Sequence, residues 1–233
     1  MTLNTDTHKD ILIKILKDIY ENPNIGPDLG FKGGTAAMLF YDLPRFSVDL
    51  DFDLLDDSKT DYIFEQVETI LKTYGTVKKA DKKRYNLFYL LSYDNKIKDA
   101  QNIKVEINRR NFGSKYKDKQ YLGITLKVMV QEDMAAHKLV AMYERMGEAN
   151  RDIFDVWYFL NNGWPVNKKI VETRTNVSYK EFLQQCITAL EKLDDRSILS
   201  GLGELLNAKQ KAWVKTKLRT DTIFLLKLAL SKE

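Results

Sequence analysis

Two acids, Asp49 and Asp51, sit one residue apart in the stretch Ser47-Val-Asp-Leu-Asp-Phe-Asp53. Val48, Leu50, Phe52 and Leu54 alternate with them, which predicts a strand over Ser47 to Leu55 with apolar side chains on one face and Asp49, Asp51 and Asp53 on the other. Like charges at this spacing repel unless a cation lies between them, so the pair suits a divalent metal. A third acid, Glu106, lies in Lys104-Val-Glu-Ile-Asn108, where Val105 and Ile107 face a core. If the two strands are neighbours, three carboxylates meet, the number needed to hold two Mg²⁺ for in-line phosphoryl transfer.

Upstream, Gly33 and Gly34 end a short strand and open a helix, where absent side chains let backbone N–H groups approach a phosphate, and Thr35 adds a hydroxyl. Read alone, Gly-Gly-Thr is weak evidence, because a tight turn followed by a threonine cap accounts for it more readily. Lys138 lies midway between Met134 and Met142 on a helix face that is largely apolar. Its ammonium either snorkels to water or meets an anion, and a triphosphate would serve. Asp152 and Asp155, three apart, share a helix face and also fit the acid preference of a helix start. Neither His8 nor His137 has metal-ligand company, and Cys186 belongs to a helical core pattern.

The elements that must position these groups change character along the chain. Helical spacing covers Thr7 to Tyr20, Thr35 to Tyr41 and Tyr62 to Tyr74. Strands are expected at Leu29–Lys32, Ser47–Leu55, Thr76–Ala80, Tyr85–Tyr93, Ile103–Arg109 and Ile124–Val130. From residue 131 the pattern is helical only, clearest at Gln131–Met146, Arg151–Asn161, Tyr179–Leu193 and Ala208–Leu230, with Gly163-Trp-Pro165 as a turn. The expected organisation is an α+β core over residues 1–130 with a helical subdomain over 131–233 packed on it.

The 233 residues are 44% hydrophobic and 30% charged, which excludes a disordered chain, and no apolar run reaches the roughly 20 residues of a membrane span. With one cysteine, and with an opening MTLNTDTHKD that lacks a secretory signal's basic and apolar regions, a cytoplasmic protein is expected. The net charge of +4 hides a contrast: residues 42–61 carry −5, residues 72–119 carry +9 and residues 207–233 carry +5. An acidic knot beside a basic stretch suits a metal-dependent enzyme acting on a polyanion, although solvated surface accounts for any single lysine-rich run.

Gly-Gly-Thr, a short helix, Pro44-Arg-Phe-Ser-x-Asp-x-Asp51 and a later acid between apolar residues together resemble the DNA polymerase β-type nucleotidyltransferase superfamily. More narrowly they resemble its AbiEii/AbiGii toxin branch. Two later motifs of that branch, a helix containing a lysine and Arg-Asp-x-x-Asp, match Asp133-Met-Ala-Ala-His-Lys-Leu-Val-Ala141 and Arg151-Asp-Ile-Phe-Asp155. The resemblance covers about residues 30 to 160. Two positions depart from it: Glu106 stands where an Asp is usual, and His137 where an acid is expected.

The resemblance implies a polymerase β-like core with a mixed sheet and transfer of a nucleoside monophosphate from an NTP to an acceptor, with pyrophosphate released. It assigns Mg²⁺ to Asp49, Asp51 and Glu106 and the β/γ-phosphates to Gly33, Gly34 and Thr35, with Arg45 and Ser47 in support. Lys138 then neutralises the triphosphate, and Asp152 and Asp155 shape the nucleotide pocket. It further implies a toxin with a cognate antitoxin and tRNA as acceptor. A small-molecule acceptor, as in aminoglycoside-type enzymes, and a catalytically silent nucleotide- or RNA-binding protein are the competing readings.

Overall fold

The computed structural model describes residues 4–93 and 102–233, so part of the basic stretch, at 94–101, lies outside the described residues. The chain forms two compact units, one running to Asn111 and including Lys115–Met129, the other made of Phe112–Ser114 and everything from Val130 onward.

The first unit is a seven-stranded mixed sheet. Its strands are β1 (Leu29–Lys32), β2 (Leu50–Leu54), β3 (Thr76–Lys82), β4 (Asn86–Ser92), β5 (Asn102–Asn108), β6 (Tyr116–Tyr121) and β7 (Ile124–Met129), in the spatial order β3-β4-β5-β2-β1-β7-β6. The β2–β5 and β1–β7 pairs are parallel and the remainder antiparallel. One face of the sheet is apolar: Phe31, Leu50, Phe52, Leu87, Tyr89, Val105, Ile107 and Val128 are fully buried. Helices α1 (Thr5–Glu21) and α3 (Thr60–Lys72) cover it, with Tyr20 of α1 ringed against Phe52 and Phe64 of α3 stacked on Tyr89. In α1, Leu12, Ile15, Leu16 and Ile19 recur at helical spacing and all are buried, while Asn4 caps its start by accepting from the Thr7 N–H. Helix α2 (Gly33–Phe40) follows β1 directly.

The second unit is helical: α4 (Gln131–Glu144), α5 (Arg151–Asn161), α6 (Lys168–Thr175), α7 (Tyr179–Lys192), α8 (Ala208–Trp213) and α9 (Arg219–Leu230). The helix expected over Ala208–Leu230 is interrupted by a π-helical turn at Val214–Leu218, which turns both Val214 and Leu218 into the core. Trp157 meets Trp213 at 4.2 Å between ring centres, and Phe159 stacks on Trp164 at 4.0 Å. Cys186 is buried among apolar helix positions, and burial pushes its thiol up to about 12. No helix among the described residues is long and apolar enough to cross a membrane.

Two elements escape the sequence pattern. Strand β6 reads Tyr-Lys-Asp-Lys-Gln-Tyr, the charged make-up of a sheet edge, and its hairpin to β7 turns at Leu122 and Gly123, both at positive φ. Helix α6 has only two apolar residues, Ile170 and Val171, and is started by the Asn167 cap.

Candidate active site

The sheet's opposite face carries the acids. The parallel register sets Asp51 beside Glu106 and Asp53 beside Asn108, so the condition that the two strands be neighbours is met. Asp49 lies just before β2, and its side chain, with those of Asp51 and Glu106, surrounds one ammonium: Lys104 Nζ is 3.7 Å from Asp49, 3.9 Å from Asp51 and 3.4 Å from Glu106. All three carboxylates are partly exposed, at 17%, 30% and 33%. Burial pushes Glu106 up, but Lys104 and a 2.8 Å hydrogen bond from Asn86 outweigh it and hold the carboxyl below its ordinary value.

Among the described residues no three acid, histidine or cysteine side chains already converge tightly enough to chelate an ion. The donor set nonetheless fits Mg²⁺. It is all carboxylate oxygen, as a hard divalent ion requires, and the three groups are drawn to a single positive charge.

The two glycines are explained by what lies against them. Gly33 has φ +79°, and a Cβ there would fall 2.5 Å from Asp51 Oδ2. A Cβ on Gly34 would fall 2.8 Å from both Arg45 Nη2 and Ser47 Oγ. Thr35 donates its hydroxyl to the Asp49 carbonyl and lies 2.9 Å from Ser47 Oγ, so with one hydroxyl proton on each residue Ser47 donates to Thr35. Buried Arg45 donates to the Phe46 carbonyl. The Gly-Gly-Thr turn and the Arg-Phe-Ser-x-Asp-x-Asp strand are therefore one interlocked structure. No side chain caps α2, which leaves its first N–H groups without a side-chain acceptor.

His8 completes the support from α1. Its Nε2–H donates to the Val48 carbonyl, beside Asp49, and its Nδ1 accepts from Tyr93. Burial holds its pKa below the usual histidine value, in keeping with this neutral form.

Asp53 shares the face with Asp51, as alternation predicts, but is not open to solvent. It is buried against Lys32 (2.5 Å), Tyr116 (2.5 Å) and Asn108 (2.7 Å). Gly30 leaves the space that the Tyr116 ring fills. Burial pushes the Asp53 carboxyl up, and the Lys32 charge with three hydrogen bonds brings it below its ordinary value. A carboxyl lowered in the folded state contributes stability that is complete above its unfolded pKa and is lost as pH falls through the folded one. Asp53→Asn is expected to cost about 3 kcal/mol at neutral pH and to lose less than wild type on acidification. Urea unfolding across the acid range measures both, and a variant whose pH profile parallels that of the wild type contradicts the assignment.

In the helical unit, Lys138 finds its anions within the protein. Its ammonium is 2.8 Å from Asp152 and 2.7 Å from Asp155, both fully buried, and Arg145 lies 2.6 Å from the second Asp152 oxygen without hydrogen-bond alignment. The lysine helix and the Arg-Asp-x-x-Asp helix are thereby joined, a pairing that spacing alone does not reveal. His137 accepts from Arg174 at Nδ1 and donates from Nε2 to Ser114.

Comparison with known proteins bears directly on this arrangement. Residues 14–217 match the nucleotidyl transferase AbiEii toxin family of type IV toxin–antitoxin systems. The chain belongs to that family. Solved structures of similar fold include a candidate nucleotidyltransferase from Helicobacter pylori (20% identity, TM-score 0.66, covering all of this chain and 97% of that one). JHP933 from Helicobacter pylori is also similar (20%, 0.62, covering 100% and 94%), as is MenT4, a nucleotidyltransferase toxin of Mycobacterium tuberculosis (19%, 0.55, covering 95% and 82%). No curated protein matches the sequence. The α+β nucleotidyltransferase-like fold with C-terminal helices that the motifs imply is the fold observed. As an AbiEii member the chain is of a nucleotidyltransferase toxin family.

Proposed function

We propose that this AbiEii-family protein transfers a nucleoside monophosphate from an NTP to a hydroxyl of an RNA acceptor, tRNA, with loss of pyrophosphate, in the cytoplasm, and that a cognate antitoxin opposes it. The observation that carries the reading is the Asp51–Glu106 register with Asp49 alongside, three carboxylates around one cation. In this reading Asp49, Asp51 and Glu106 hold Mg²⁺, at one or two ions. When bound, the metal withdraws charge from the α-phosphate and lowers the pKa of the acceptor hydroxyl.

The chain's own residues do the rest. The α2 N-terminus at Gly33 and Gly34 receives the β/γ-phosphates through backbone N–H groups. Thr35, Ser47 and Arg45 lock that turn to the Asp49 segment, so that phosphates and carboxylates stay in register. The acceptor oxygen bonds to the α-phosphorus as the α–β anhydride bond breaks, pyrophosphate leaves and the hydroxyl proton passes to solvent. Lys138, Asp152 and Asp155 are assigned to nucleotide binding as a unit. The two acids offset the charges of Lys138 and Arg145, so the unit contributes shape and donors more than net charge.

The test is incubation of purified protein with each α-labelled NTP, Mg²⁺ and total bacterial RNA, resolved on a denaturing gel. Label on a discrete RNA band is the expected result and names base and acceptor together. Absence of label with every NTP rejects the RNA acceptor.

A further inference from the structure

We propose that the β3–β4–β5 part of the acid-bearing face is a stacking platform for unpaired bases at a single-stranded RNA end, with Phe88 as its ring and Tyr85, on the adjoining β3–β4 turn, as a second. The inference rests on the transfer reading above and says how the acceptor is held. Asp81, Phe88, Glu106, Asp51 and Lys32 form one row across β3, β4, β5, β2 and β1. With strands about 4.8 Å apart, Phe88 stands one strand from Glu106 and two from Asp51. Along β4, Leu87, Tyr89 and Leu91 are fully buried on the apolar face, and Ser92 is buried at the strand's far end. Phe88 has the opposite parity, a half-buried ring on the polar face that the apolar core does not use.

Cations gather at both rings. Lys83 and Lys79 lie 5.1 and 5.9 Å from the Phe88 centroid. Tyr85, at the β3–β4 turn and 51% exposed, has Arg84 at 4.9 Å and Arg110 at 5.9 Å. Arg110 is itself steadied by Asn108 Oδ1 at 3.1 Å.

Rings interleaved with cations are the composition that binds single strands, because each ring takes a base and each cation a neighbouring phosphate. A duplex keeps its base faces hidden and would use only the cations. The magnitudes favour displacement of the ammonium groups by bases. A cation over an exposed ring shifts an equilibrium about 2- to 5-fold, whereas a base stacked on a ring is worth about 5- to 150-fold.

The experiment is fluorescence anisotropy of the full chain, without NTP, against a short fluorescein-labelled RNA of mixed sequence, single-stranded and as a duplex. Phe88→Ala and Tyr85→Ala are each expected to weaken the single strand about 5- to 150-fold with little change for the duplex. Phe88→Leu, which keeps apolar bulk, is expected to fail as Phe88→Ala does, and Lys83→Ala to lower the salt slope by about one phosphate. Unchanged single-strand affinity in both ring variants, or wild-type binding by Phe88→Leu, overturns the platform. Ring-dependent binding by a protein that transfers no nucleotide keeps the platform and rejects the transfer reading. Transfer at unchanged KM for RNA in both ring variants does the reverse.

Discussion

Asp51→Ala is expected to reduce nucleotidyl transfer by at least about 10³-fold while leaving the fold intact. Loss of one preorganised charge contact to a reacting group typically costs 10²- to 10³-fold, and a carboxylate that holds the metal serves both substrate positioning and charge neutralisation. The structural cost is small by comparison. Asp51 is 30% exposed, and the 3.9 Å contact it makes with Lys104 is shared with Asp49 and Glu106, so a stability change within about 1 kcal/mol is expected. Turnover by wild type and variant, with melting curves recorded with and without Mg²⁺, separates the two effects. Mg²⁺ should raise the melting temperature of the wild type and not of Asp51→Ala, because an ion that binds only the folded site stabilises it by mass action. Retained turnover, or an unchanged Mg²⁺ shift, removes Asp51 from the metal site.

Lys104 bears on the same measurement. Its ammonium lies among the three carboxylates, so an incoming divalent ion must compete with a charge already there. In the proposed reading that competition weakens metal affinity, and the ammonium offsets repulsion among the acids when no ion is bound. The side chain is long enough to withdraw without moving β5.

Why some of this is visible in the sequence and some is not follows from the range of each interaction. Alternation around Asp49 and Asp51 and around Glu106 is local, and burial of Phe52, Val105 and Ile107 behind the acids enforces it. The Asp51–Glu106 register crosses some fifty residues, so spacing offers it only as a condition, and sheet topology decides it. The polar neighbours are harder still. Lys32, Asn108 and Tyr116 converge on Asp53 from three other strands, and β6, which brings Tyr116, has the charged pattern of an edge. Nothing in the alternation marks Asp53 as different from Asp51, yet one is buried and the other is not. The acidic and basic stretches are likewise partly spent on each other, through Arg109 with Asp57 and Lys82 with Asp61.

Lys138→Met is expected to destabilise the helical unit by about 3–5 kcal/mol. Asp152 and Asp155 are fully buried on α5, and the ammonium 2.7–2.8 Å from each offsets the cost of keeping two carboxylates out of water. Methionine supplies similar volume without charge, so packing loss is minor and the penalty is that of the stranded acids. Arg145 still faces Asp152 in the variant. Adding Asp155→Asn to Lys138→Met removes one of the two carboxylates that faced the lysine, and the double variant should recover part of the stability. That recovery is the non-additivity expected of residues in one network. Urea unfolding of the three variants measures it. If Lys138→Met unfolds at the wild-type urea concentration yet loses NTP binding, the lysine acts on the triphosphate directly and not as the pin between α4 and α5. If stability falls and NTP binding falls with it, and both return in the double variant, the lysine serves the nucleotide by holding the two acids in place.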